Sequence, residues 1–350
     1  MTEWTVMKRT LAVAIAAAAS LSLAACGGGS AAPTSSSAAP TSSAAPTSSA
    51  APTSGAASMP LNFQLSWFPG GDNLAFWAGL DQGFFLEEGI DLTIDSATDP
   101  TISQKLIATG EKPIGIAYAG DIVISNASGA PITAIWALTD ESPFGLISLK
   151  DAGITKAEDL KGKTVGVTSL PTDQAFFDTM LKSVGLTRDD VTVVDPGLAG
   201  VQQLLAGTLD ATSAIINYEP AVLKSEGIDS YDFLYYSQYG APNATFYAIT
   251  VNPEWLADNG DVATKFLRAY QKSITWTNAN VDEAVRLFIE RFPDQDAELT
   301  KNIYLGEAAI MGTGSNDLGQ WQGLADYLQA DGTIDASVDA KTFVTNDYLP

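Results

Sequence analysis

The sequence predicts an α/β fold in two lobes, each a mixed, mostly parallel sheet flanked by helices, with two hinge crossings between them. Three observations predict it. From residue 60 onward, short strand-like stretches alternate with helix-like ones, a spacing that calls for parallel strands covered on both faces. The alternation restarts at "AEDLKGKTVGV" (157–167), which opens a second lobe. A later strand-like stretch, "TFYAITVNPEWL" (245–256), precedes a run of helices, so the chain returns to the first lobe. Lobe one is assigned 60–148 and 249–350, the latter with the C-terminal helices, and lobe two 149–248.

Each element has its own signal. "LNFQLSW" (61–67) alternates apolar and polar residues as a strand does, and Pro69, Gly70 and Gly71 break it. Leu74 to Glu88 reads as one helix with Gly89 past its end. "IDLTID" (90–95) is a strand, Thr101 to Thr109 a helix stopped by Gly110, and "PIGIAYA" (113–119) a strand. A helix over Asp121–Ser128 and the strand "PITAIWAL" (131–138) follow. In lobe two, Thr164–Val167 is a strand, "SLPTDQAFFDTMLKSVG" a loop and helix ending at Gly185, and "VTVVD" (191–195) a strand. Then come a helix stopped by Gly207, a strand over Ala211–Ile216, a helix over Tyr218–Glu226 and the extended "DFLYYSQYG" (232–240). "VATKFLRAYQKSITWTNAN", "VDEAVRLFIERF" and "LGQWQGLADYLQA" read as helices expected on the outside of lobe one. The crossings are placed at Phe144–Leu149 and Tyr247–Val251.

Two crossings between α/β lobes form a hinge, and the cleft it leaves can close on a ligand. Ligands of open α/β sheets sit beyond the carboxyl ends of the strands. That rule selects the loops 66–73, 97–101, 118–121, 168–173 and 217–219. They hold aromatic residues and oxygen acceptors and contain no Lys or Arg.

The N-terminal region has a separate logic. Lys8 and Arg9 precede an apolar or small run from Leu11 to Ala25, shorter than the roughly 20 residues a bilayer span needs. Together with the small residues before Cys26 this reads as a secretory signal over residues 1–25, with Met1 and Met7 both open as the start. "Leu-Ala-Ala-Cys" (23–26), ending on the only cysteine of the chain, resembles the lipobox of bacterial lipoproteins. The resemblance implies cleavage before Cys26 and a lipid on its thiol. The Ala-Ala-Pro-Thr-Ser-Ser repeat that follows has no charge and no aromatic residue, so it cannot offset its ordering entropy, and 26–59 is read as a disordered tether.

Composition removes several functions. The chain has 18 Lys and Arg against 41 Asp and Glu, a net charge of −23, which disfavours nucleic acid as a partner. With no histidine, the commonest general base and transition-metal ligand are absent, and so are the Ser-His-Asp and Cys-His arrangements. A carboxylate or lysine remains open as a catalytic group. No metal or cofactor is expected.

Three segments carry a resemblance: "LSWFPGGDNLAFWAGLDQGFFLEEGIDLTI" (65–94), "AGITKAEDLKGKTVGVTSLPTD" (152–173) and "VQQLLAGTLDATSAIINYEP" (201–220). Together they resemble the binding proteins for thiamine pyrimidine precursors, alkanesulfonates and nitrate. The resemblance implies a periplasmic-binding-protein type II fold. It also implies a monomeric, non-enzymatic solute-binding lipoprotein on the extracytoplasmic face of the cell membrane, serving an ABC permease and its ATPase. The Trp-Phe-Pro loop is most similar to that of the thiamine-precursor and riboflavin-type binders. Pyrimidine binders often carry Asn-x-x-His after this Trp, where this chain has Gly70-Gly71-Asp72-Asn73.

The expected cargo is therefore a small amino-bearing heteroaromatic, since rings stack and carboxylates accept N–H bonds. Trp67 and Phe68 are candidates for the stacking wall, against a core role for Trp67. Asp72 and Asn73 are candidate acceptors or the cap of the next helix. Tyr118 and Asp121 close the third strand. Ser169, Thr172 and Asp173 precede a helix whose N–H groups could face a ligand. Asn217, Tyr218 and Glu219 end a lobe-two strand, where Glu219 either accepts from the cargo or complements a helix dipole. Trp77, Phe84, Phe85 and Trp136 are read as core. The competing expectations are a taurine, sulfonate or nitrate binder, which needs basic residues in the cleft, a riboflavin binder, and a secreted enzyme working through a carboxylate pair in divergent environments.

Overall fold

Alternating burial starts the folded part: Leu61 and Phe63 are inward in β1 (Met59–Gln64). α1 (Leu74–Asp81), α2 (Phe84–Glu87), β2 (Ile90–Asp95), α3 (Ser103–Ala108), β3 (Ile114–Tyr118), α4 (Ala119–Ala127) and β4 (Thr133–Thr139) follow. The second set is β5 (Phe144–Leu149), β6 (Thr164–Gly166), α5 (Pro171–Ser183), β7 (Thr192–Val194), α6 (Gly200–Leu205), β8 (Ala211–Ile215), α7 (Glu219–Ser225) and β9 (Tyr231–Tyr235). β10 (Tyr247–Val251), α8 (Pro253–Ala279), α9 (Val281–Arg291), α10 (Ala297–Ile310), β11 (Met311–Gly314) and α11 (Leu318–Asp331) complete it. The structure is a computed structural model and describes residues 58–97 and 102–350. The signal segment, Cys26, nearly all of the tether and most of the 97–101 loop lie outside them.

The strands form two sheets, ordered β11-β4-β10-β3-β1-β2 and β7-β6-β8-β5-β9. β1 to β4 run one way, and β10 and β11 run against them. In the second sheet only β5 opposes the rest. Both sheets are thus mixed, with parallel and antiparallel pairings in near-equal share, in place of the mostly parallel sheets expected. The passages between sheets are loops, 140–143 and 240–246, that lead into β5 and β10, and not those strands themselves, which pair fully within one sheet.

Three further expectations change. The helix read over Leu74–Glu88 is two, because Gly83 takes φ 74°, a left-handed conformation that ends α1. The stretch read as extended over 232–240 turns into a 3₁₀ segment at Tyr236–Tyr239. The C-terminal helices do not all sit outside the first sheet. α8 and α9 pack on α1, but α10 lies against α7 and the 71–73 turn, and Tyr327 of α11 bonds Thr179 and the Ala175 carbonyl of α5 at 2.6 and 2.8 Å.

Each face of the first sheet has its own chemistry. Ile114, Ile116, Ile135, Leu138, Ile249 and Val251 meet α1, α8 and α9. On the other face Ala117, Ala134 and Ala248 are small enough for α4 and α11 to come close. That second cluster continues through Phe144, Leu146, Val165 and Phe176 into the second sheet, so one core is shared between the two sheets beside those on their outer faces. A small cluster under α6 and α7 covers the far face of the second sheet.

Candidate functional site

The sheet register builds the site. β10 runs antiparallel to β3 with Tyr247 opposite Tyr118, so two tyrosines stand side by side at the carboxyl end of β3. The loop after β1 brings Asp72 beside them, and α7 opens with Tyr218 and Glu219 from the second sheet. α10 closes the ring with Glu307. It can do so because Gly71 lets the turn come close: a Cβ there would stand 2.2 Å from the Thr300 carbonyl.

Oxygen acceptors crowd here. The Glu307 carboxylate is 1% exposed and accepts on one oxygen from Asn217 Nδ2 at 2.7 Å and Tyr247 OH at 2.5 Å. It thereby ties β10 of the first sheet to the loop after β8 of the second. Burial, and the Asp72 charge nearby, push its pKa up to about 8 against the Tyr247 hydrogen bond. Burial holds Glu219 at about 7, against a 2.6 Å hydrogen bond from the Ile215 amide, and Asp72 at about 6. Asp72 and Glu219 also act on Tyr118 and Tyr218, whose hydroxyl pKa values rise mainly through burial. The tyrosines stay protonated donors.

The sequence-selected residues divide into two groups. Asp72, Tyr118, Asn217, Tyr218 and Glu219 converge in this cluster. Trp67 is half-buried with its ring edge-on to Phe68 at 5.3 Å, and Phe68 is 40% exposed, so an aromatic surface borders the cluster at the end of β1. Asp121 lies at the start of α4, beside Tyr118, with Oδ2 buried and without a hydrogen bond. Burial raises its pKa to about 6, with Lys105 pulling it down. Thr172 meets α4: a Cβ on Gly120 would lie 2.0 Å from its hydroxyl. With Asp121, Tyr118, Phe144 and Phe246 it lines a cavity of ≈ 30 Å³. Ser169 is exposed on the same loop.

Two candidates are occupied internally. Asn73 accepts from the Gly70 amide at 3.1 Å and Trp77 Nε1 at 2.8 Å, and donates to the Phe68 carbonyl at 3.1 Å. It braces the loop that carries Trp67 and Asp72. Asp173 is fully buried and accepts four hydrogen bonds, from Thr168 N and Oγ1, Ser213 Oγ and Tyr236 OH, at 2.6–2.9 Å. It fixes the 168–173 turn against the second sheet.

Glu307, Tyr247 and Tyr270 were not among the sequence candidates. Tyr270 of α8 feels both Glu307 and Asp72. The available signal for Glu307 was an acid one turn after Tyr304 in the otherwise apolar "YLGEAAI" of α10. Tyr247 could be placed only through the antiparallel register.

This two-sheet arrangement is the periplasmic binding-protein fold. The aliphatic sulphonate binding protein SsuA of Escherichia coli superposes with a TM-score of 0.67 at 13% identity, covering 81% of this chain and 96% of that one. The chain belongs to the NMT1/THI5-like family, whose model matches residues 72–284. It is similar to the formylaminopyrimidine-binding protein of Halalkalibacterium halodurans, 25% identical over 289 residues, covering 79% of this chain and 87% of the relative. It is also similar to the 4-amino-5-hydroxymethyl-2-methylpyrimidine phosphate synthase of Legionella pneumophila, 26% identical over 289 residues, covering 82% and 91%.

Proposed function

We propose that the chain is an extracytoplasmic solute-binding lipoprotein of an ABC importer, and that its cargo is a small amino-substituted heteroaromatic resembling the pyrimidine precursors of thiamine. The observation that carries this is the meeting of Asp72, Glu219 and Glu307 with Tyr118, Tyr218 and Tyr247 where strands of both sheets end. Acceptors without a basic partner select N–H donors, and rings select a flat body. The pyrimidine in the names of both relatives fits this chemistry. Closure of the two halves would complete the contacts, and the closed form would be the one a permease reads. Cys26 would carry the lipid that holds the protein at the membrane.

A sulfonate or nitrate cargo is disfavoured, because an anion would meet carboxylates in place of aimed positive charge. The enzyme reading has a synthase among the relatives in its favour. It requires two carboxylates pushed in opposite directions, whereas Asp72, Asp121, Glu219 and Glu307 are all pushed the same way. A thermal-shift panel on the detergent-solubilised full chain tests the proposal, with aminopyrimidines, riboflavin, taurine and nitrate as probes. Stabilisation by aminopyrimidines is expected. Stabilisation by the anions alone would overturn it.

A further inference from the structure

We infer that the cargo is an organic cation: a flat, ring-borne positive charge received by Asp72, Glu219 and Glu307, with the Asn217 carbonyl oxygen as a neutral acceptor beside them. The inference rests on the cleft being the cargo site and adds the charge of what enters it.

Among the described residues, no Lys or Arg pairs with Asp72, Glu219 or Glu307 in a salt bridge or acts on them electrostatically. Lys105 acts on Asp121, at the edge of the cluster. Several basic side chains elsewhere meet acids, as Arg268 meets Glu88 at 2.8 Å and Lys301 meets Asp282 at 2.5 Å. Buried acids without counter-charge keep their protons, and a bound cation lets them ionise and pair with it where a neutral molecule does not.

Asn217 is the independent observation. It is 4% exposed, and its amide nitrogen is committed to Glu307 at 2.7 Å. Its oxygen is buried and accepts no hydrogen bond. A buried carbonyl oxygen without a donor is rare in a folded protein, and here it sits on the same side chain that touches the cluster. A donor from the cargo would satisfy it. Gly306 of α10 lets the Asn217 backbone come close: a Cβ there would stand 2.9 Å from the Asn217 Cα and its main-chain oxygen.

The walls fit the same guest. Tyr118, Tyr218 and Tyr247 stand by the acids, and aromatic rings attract a cation that has left water. A metal ion is a poorer occupant, since no group of three acidic, His or Cys side chains among the described residues is arranged to hold one. Glu307 lies beyond residues 72–284, the span that the family model matches.

The test uses two probes of one shape. At neutral pH 4-aminopyridine is a ring-protonated cation, and 4-aminopyrimidine is uncharged. Titration calorimetry of the full chain is expected to give the cation an affinity at least about ten-fold higher. Asp72→Asn and Glu307→Gln, which keep shape and remove the group that can ionise against a cation, are each expected to shrink that preference to about three-fold or less, with circular dichroism unchanged. If Glu307→Gln fails to fold, Glu219→Gln makes the same comparison. Equal or tighter binding of the neutral probe overturns the cation inference and leaves the heteroaromatic reading standing. A preference that survives both charge-removing variants also overturns it. Failure of both probes to bind overturns the inference and the heteroaromatic reading together.

Discussion

In the ligand-free protein Glu307 holds its proton because burial disfavours its charge, and the nearby Asp72 charge adds to that. A carboxyl group whose pKa is higher in the folded state stabilises the fold below its unfolded pKa, and that stability is lost as pH rises through the folded value. Glu219, held at about 7, and Glu307, held at about 8, therefore make the ligand-free protein less stable as pH climbs from about 5 to about 8. The melting temperature should fall across that window, and Glu307→Gln should flatten the upper part of the fall. An increase with pH in the wild-type chain would contradict the assignment. Asp173 is buried and raised too, yet its four donors make it structural. Asp173→Ala strands those donors and should lower stability by about 3 kcal/mol in chemical denaturation. The sequence places Asp72, Asn73, Asp173 and Glu219 at loop and strand ends alike. What separates the ones that face the cluster is which donors the fold has already supplied, and spacing along the chain does not contain that.

At the scale of elements, patterns longer than one turn were legible and their interruptions less so. The strands β1 to β4, β6 and β8 fall where apolar alternation puts them. The positive-φ glycines Gly89, Gly110, Gly185 and Gly207 stand where helices were expected to stop. Gly83 was missed because the apolar residues around it keep helical spacing across the break. α10 was passed over because its start is marked by a lone cap, Asp296, which accepts from the Leu299 amide at 2.7 Å, inside a polar stretch. Its absence from the sequence reading hid Glu307. α8, which carries Tyr270, begins after Asn252, whose side chain accepts from the Glu254 and Trp255 amides at 3.0 and 3.1 Å and donates to the Ile107 carbonyl at 3.0 Å. Asn252→Ala removes the cap and the tie to α3, and should cost about 1–2 kcal/mol in urea unfolding. An unchanged midpoint would show that the cap is dispensable.

At the scale of the molecule, the two halves were legible from the restart of the alternation, and the return of β10 to the first sheet from its pattern. The shared core and the bridging of α10 and α11 were not, since both depend on which helix face meets which sheet. The bridge makes a prediction of its own. Gly306 on α10 abuts Asn217 on the second-sheet side, so a methyl group there acts as a wedge. Gly306→Ala should weaken cargo binding about ten-fold or more while leaving helix content unchanged, measured by calorimetry and circular dichroism. Wild-type affinity in that variant would mean the two sides need not meet around the cargo. The most direct test of the whole account is a crystal structure of the chain with an aminopyridine or aminopyrimidine bound. The account predicts the ring among Trp67, Tyr118 and Tyr218, with its N–H donors on Asp72, Glu219 or Glu307 and on the Asn217 oxygen. A ligand seated elsewhere, or bound with those carboxylates turned away, would contradict it.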